Sequence, residues 1–309
     1  MLGPYRLLHR LSGNTLTAVY TAVHTERPSA RVAVKVLQVA PQRDEATLRS
    51  FISEARVGSV LRHPNVLHVD DAGMHEDHAY LVMELLEGGT LARLCPQGMP
   101  LPVGAVVALG LQICAGLSYL HEVVAVAGNR FNLVHRDIKP ANLFVTADGA
   151  VKIIDFGVAH LSDERMEKTR PSVFHGTVSY ASPEQAKSEH LDGRSDLFSL
   201  GLVLQQLLTG QRVFDQPHEA GILNALFFEP LPDLAHLRPD LPEPLCRAVQ
   251  WVLRKDRCHR PSSAAGFASA LEEAVPVELR WTQAQLAQWV QDRQRALEAE
   301  ATVRARAGC

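Results

Sequence analysis

Cysteine is rare and scattered in this chain. The five in 309 residues, Cys95, Cys114, Cys246, Cys258 and Cys309, are odd in number and include no Cys-x-x-Cys pair. That argues against a disulfide framework or a zinc clip and fits a reducing compartment. Charge of one sign is also missing: 31 Lys and Arg stand against 34 Asp and Glu, a formal net charge of −3. So small an imbalance excludes general attraction to nucleic acid or to an anionic membrane as the basis of function. The opening MLGPYRLLHRL has neither an apolar leader core nor a small-residue cleavage site. No window is read as reaching the roughly 18 apolar residues of a membrane span. The expectation is a cytoplasmic protein with neither nucleic-acid nor membrane partners.

Glycine is short in one telling place. LSGNTLTAVY, residues 11–20, lies between two β-prone runs, where a nucleotide-binding protein often carries a glycine-rich phosphate loop. It holds Gly13 alone, so it reads either as such a loop with its glycines replaced or as an ordinary hairpin.

What is present is an ordinary composition, 46% hydrophobic and 21% charged, enough for a sizeable core divided between two lobes. Apolar alternation predicts strands over 5–11, 19–23 and 31–39, a helix over 44–61 stopped by the proline of RHPN, and strands in VLHVDDAG and AYLVMELL. A five-stranded sheet with one helix thus accounts for residues 1 to about 85. Beyond EGGT the spacing turns helical, with Val106, Val107, Leu109, Ile113, Leu117 and Leu120 along one long helix.

Two motifs then follow in order, each after a strand-like run: LVHRDIKPANLFV, residues 133–145, and VKIIDFG, residues 151–157. Alone, a His-Arg-Asp triplet reads as a surface ion pair or a helix cap. Together, His135, Arg136, Asp137, Lys139 and Asn142 with Asp155, Phe156 and Gly157 resemble the catalytic and metal-binding loops of the eukaryotic-type protein kinase family, bacterial members included. The resemblance covers about residues 5–275. It implies an α+β bilobal kinase fold, with an N-lobe of five antiparallel strands and one helix over about 1–85, a mainly helical C-lobe over 86–275, and a C-terminal helical tail over 276–309.

The family's chemistry explains the residue types. Phosphoryl transfer needs oxygens that hold metal ions, a cation on the nucleotide and an acceptor for the substrate hydroxyl proton. The resemblance implies Asp137 as base or positioner, Asn142 and Asp155 as ligands of Mg2+ or Mn2+, and Lys139 as the lysine that serine/threonine kinases place near the transferred phosphate. Lys35 in VAVK corresponds to the nucleotide lysine, and Glu54 in FISEAR to its partner. Leu11, Ser12, Gly13, Val19 and Ala33 join Lys35 as ATP-binding positions, and LVMELLEGG reads as the hinge, with Met83 behind the base and the backbone of Glu84 and Leu86 on its edge. Aligned on Val19 and Tyr20, the family's three glycines fall on Ser12, Asn14 and Thr17. Gly58, four residues after Glu54, stands where the family carries an apolar residue beneath the helix, which predicts a less firmly held helix.

Between Asp155 and Glu184 lies the implied activation segment. Arg136 implies control by phosphorylation there, with Thr169 and Ser172 as acceptors and Ser162 as a weaker third. Thr177 would pack on Lys139 and Asp137. Glu184, in a closing motif with Ser182 in place of the commoner alanine, needs a buried cation, matched by Arg260 in DRCHRPS. Asp196 corresponds to the acid that pins the catalytic loop. VVAVAGNRFN, residues 123–132, is longer than the usual connection and, with Gly128 and Asn129, suggests a hairpin. Trp281, Leu286, Trp289 and Val290 give the tail a helical face that docks on the kinase or on another chain.

The function so implied is an ATP-dependent serine/threonine kinase acting on protein substrates and, through self-association, on its own activation segment. The alternative is a pseudokinase scaffold with a weakened phosphate loop. Small-molecule phosphotransfer is disfavoured, because such relatives usually lack the full activation segment.

Overall fold

The computed structural model describes residues 1–38, 45–122, 124–126, 129–131, 133–155 and 178–307. Phe156, Gly157, Ser162, Thr169, Ser172 and Thr177 lie outside the described residues. The chain divides into two compact units.

Among the described residues the first unit holds 1–38, 45–87, 125, 126, 129 and 155. Strands β1 (Tyr5–Gly13), β2 (Thr17–His24), β3 (Arg27–Leu37), β4 (Val69–His75) and β5 (His78–Glu84) form an antiparallel sheet in the order β1-β2-β3-β5-β4. The two-residue side-chain period of a strand explains its faces. Val34 and Val36 pack with Ala22, Tyr80, Val82, Leu2 and Tyr5 in one apolar cluster. Ala33, Lys35 and Leu37 therefore point to the opposite side, and all three are buried.

Helix α1 (Glu45–Gly58) packs on β4 and β5 through a face that includes the buried Phe51 and Ala55. It ends at Gly58, before the proline of RHPN that the sequence expects to stop it. A Cβ at Gly58 would lie 2.4 Å from Val69 Cγ2. The space a side chain would take at position 58 is filled by Val69 of β4, itself 2% exposed.

The second unit begins with β6 (Gly88–Thr90), the short α2 (Leu91–Leu94) and α3 (Val103–Glu122). The hairpin expected at 123–132 is present as β7 (Val124–Val126) paired with β8 (Asn129–Phe131). Strands β9 (Leu143–Thr146) and β10 (Val151–Ile153) join β6 in a sheet of order β10-β9-β6. Then follow α4 (Pro183–Ala186), α5 (Gly193–Thr209), α6 (Glu219–Phe228), α7 (Leu234–Leu237), α8 (Glu243–Val252), α9 (Ala264–Ala274) and α10 (Gln283–Ala307).

Helix α3 corrects one expectation: by length and composition it is apolar enough to cross a membrane. Its Ala and Cys residues add to the hydropathy of its Val, Leu and Ile. It is the core helix of this unit, packed on α5, α9 and β10, with Leu109, Ile113, Cys114, Leu117 and Leu120 fully buried.

The tail closes on this same unit. Leu286 and Val290 of α10 are fully buried, Gln294 Nε2 donates to the Gly88 carbonyl at 3.0 Å, and Arg293 Nε donates to the Leu94 carbonyl at 2.9 Å. Two glycines make room for it. A Cβ on Gly104 would lie 2.0 Å from the Leu279 carbonyl oxygen, and one on Gly149 would lie 2.1 Å from that of Gln283.

Candidate active site

In the first unit, Lys35 is placed by β3 on the α1 side of the sheet. Its Nζ lies 2.8 and 3.0 Å from the two carboxylate oxygens of Glu54 and 2.7 Å from Asp155 Oδ1. Burial alone would lower the lysine, but Glu54 and Asp155 outweigh it and raise it above its ordinary value, so the ammonium stays charged at 9% exposure. Asp155 adopts a positive φ of 54°, an uncommon conformation for a residue other than glycine. The group is a cation held by two acids, suited to receiving a polyanion that takes over one of those contacts.

Around it, β2 and β3 pair so that Val19 faces Lys35 across the ladder, and Ala33 pairs with Met83 of β5. Ala33 and Met83 are buried, Leu86 is half-buried in the irregular stretch after β5, and Leu11, Ser12 and Gly13 are exposed. Glu84 is tied to His68, whose N–H donates to its carboxylate at 3.0 Å.

In the second unit, Asp137, Lys139 and Asn142 share one loop. Asp137 Oδ2 receives the Asn142 amide at 2.7 Å and lies 2.8 Å from Lys139 Nζ, and the same amide also donates to the Asp137 carbonyl at 2.9 Å. The loop is held from below. Asp196, 1% exposed, accepts the backbone N–H of His135 on one oxygen and that of Arg136 on the other, both at 2.8 Å. Burial would raise its carboxyl, but these bonds and His121 hold it below the usual aspartate range. Arg136 has a φ of 68°, so the residue before Asp137 is in a costly conformation that its neighbours enforce. Its carbonyl accepts from Gln185 Nε2 at 2.6 Å.

Glu184 and Arg260 form a buried pair at 2.6 and 2.9 Å, with Ser195 Oγ donating to the same carboxylate at 2.7 Å. Arg260 also reaches three backbone carbonyls, so both charges are fully hydrogen-bonded. Ser182 caps α4 in a reciprocal pair with Gln185, a use that alanine could not serve.

Sequence reasoning missed His121. At the end of α3, its Nε2 lies 2.8 Å from Asp196 Oδ2. Gly193 leaves room for the ring, since a Cβ there would lie 2.5 Å from His121 Nδ1. No motif marks this histidine, and only its distance from Asp196 reveals it.

The protein kinase domain family matches residues 8–273. The chain belongs to the protein kinase family. It is 34% identical over 282 residues to Tyrosine-protein kinase MasK of Myxococcus xanthus, covering 87% of this chain and 43% of that protein. It is also 34% identical over 282 residues to Serine/threonine-protein kinase Pkn1 of Myxococcus xanthus, covering 90% of this chain and 39% of that protein. The chain thus spans about two fifths of the length of these relatives. The crystal structure of the Mycobacterium tuberculosis PknI kinase domain superposes with a TM-score of 0.67 at 26% identity, covering 89% of this chain and 98% of that one.

Proposed function

We propose that this kinase transfers the γ-phosphate of ATP to serine and threonine hydroxyls of protein substrates. The observation that carries the reading is the Asp137 carboxylate, held by Asn142 and Lys139 in a loop whose strained backbone Asp196 fixes. A carboxylate fixed in this way is suited to accepting the substrate hydroxyl proton, a contribution of typically 10²–10⁴-fold. Lys139, two residues beyond it, supports serine and threonine as acceptors, although one similar relative is named a tyrosine kinase.

The donor set suits a hard divalent cation. Among the described residues no group of three or more His, Cys, Asp or Glu could hold a metal. Mg2+ commonly takes one or two protein oxygens and completes its shell with water and phosphate. Asn142 and Asp155 offer such oxygens, with Mn2+ as an equivalent. Bound there, the cation would neutralise charge on the phosphates. Lys35 would bind the nucleotide phosphates, with Glu54 holding its ammonium in place. Ala33, Met83, Glu84 and Leu86 would form the base site, and Leu11, Ser12, Gly13 and Val19 would cover the nucleotide. Arg136 would pair with a phosphate on Thr169 or Ser172, added by a second copy of the chain, and Thr177 would help to seat the substrate. Glu184, Asp196 and Arg260 keep structural roles.

Residues 1–275 would constitute the kinase domain and 276–309 a helical tail. The even charge balance and sparse cysteines support signalling from the cytoplasm, with protein rather than nucleic-acid or membrane partners. The test is transfer from radiolabelled ATP with magnesium to a generic protein substrate, beside Asp137→Ala and Asp155→Ala. The wild type should label the substrate at least a hundred-fold faster than either variant, on the order of one general-base contribution. Equal labelling by all three would leave a scaffold.

A further inference from the structure

The tip between β1 and β2 is closed by a side chain. Asn14 Oδ1 accepts the backbone N–H of Leu16 and that of Thr17, each at 2.8 Å, and the N–H of Asn14 donates to the Thr17 carbonyl at 2.8 Å. The strands pair as far as Gly13 with Ala18, and residues 14–16 form the turn that leads into β2. Gly13 permits this closure, because a Cβ there would lie 2.5 Å from the Arg10 guanidinium and 2.9 Å from the Thr17 carbonyl oxygen.

A loop binds phosphate by aiming backbone N–H groups at its oxygens. Here two such groups are already taken by a carboxamide oxygen, which stands in relation to them where a phosphate oxygen would stand. On the kinase reading, this tip is the segment that covers the nucleotide's phosphates. Asn14 occupies one of the three positions at which the family carries glycine, a residue with no side chain to compete.

We propose that Asn14 is an internal competitor for the nucleotide's phosphates and so sets the affinity of this chain for ATP. The inference rests on the kinase reading above. Binding exchanges hydrogen bonds only: the N–H groups of Leu16 and Thr17 pass to phosphate oxygens, and the carboxamide turns to water. Asn14 is exposed, so its release leaves no buried polar group unpaired. Its φ is not among the positive values, so alanine fits the same backbone.

The test is titration of the full chain with magnesium ATP and, separately, with adenosine, in the wild type, Asn14→Ala and Asn14→Asp. Alanine removes the competing oxygen and should tighten ATP roughly five- to ten-fold. Aspartate keeps an oxygen on the N–H groups and adds a negative charge beside the phosphates, so it should weaken ATP. Adenosine, which has no phosphate, should bind all three equally. If adenosine binding is equal and Asn14→Ala binds ATP no better than the wild type, Asn14 organises the loop instead and the inference is overturned. If the wild type binds neither ATP nor adenosine, the kinase reading falls and the inference falls with it.

Discussion

At the scale of single residues, the candidate site is a set of charges that are each held by a second layer. Asp137 is fixed through the backbone of His135 and Arg136, that backbone through Asp196, and Asp196 through His121. Removing the last donor leaves a buried carboxylate one bond short, at a cost of about 1–3 kcal/mol. Because His121 touches neither nucleotide nor substrate on this account, the loss should appear in turnover. His121→Leu should lower kcat about ten-fold with the KM for ATP little changed, and His121→Gln, which keeps a donor, should restore most of it. Steady-state kinetics of the two variants checks this. A fall in KM-dependent terms alone would place His121 outside the chain of support.

At the scale of elements, the sequence was legible where a rule acts over a few residues. Alternation located the strands of the first sheet, Gly128 and Asn129 pointed to the β7–β8 hairpin, and the tight spacing of Asp137, Lys139 and Asn142 placed them in one loop. What escaped depends on approach between distant segments. Val69 filling the space at Gly58 and His121 beneath Asp196 leave no local pattern to find. The strand β6 was also missed, being three residues long and two of them glycine. The docking of α10 belongs to the same class, since Gly104 is an ordinary helix residue until Leu279 is seen against it. A methyl at Gly104 has no room and must displace the segment that leads into α10. Gly104→Ala should therefore cost about 1–3 kcal/mol, seen as a thermal midpoint lowered by several degrees. It should also speed proteolysis between residues 276 and 282. An unchanged midpoint would mean that α10 contributes little to the second unit.

At the scale of the molecule, each unit carries its own set of held charges. The first supplies Lys35, held between Glu54 and Asp155, and the second supplies Asp137 with Lys139 and Asn142. A scaffold has no chemical need for all of these groups, whereas phosphoryl transfer uses each of them. On the proposal above, the glycine-poor loop bears on affinity rather than on the chemistry itself. The reading separates serine and threonine from tyrosine by Lys139 beside Asp137, and the most direct measurement is phosphoamino-acid analysis of protein labelled from radioactive ATP. The account predicts label on phosphoserine and phosphothreonine, abolished by Asp137→Ala. Label confined to phosphotyrosine, or label that survives Asp137→Ala, would contradict it.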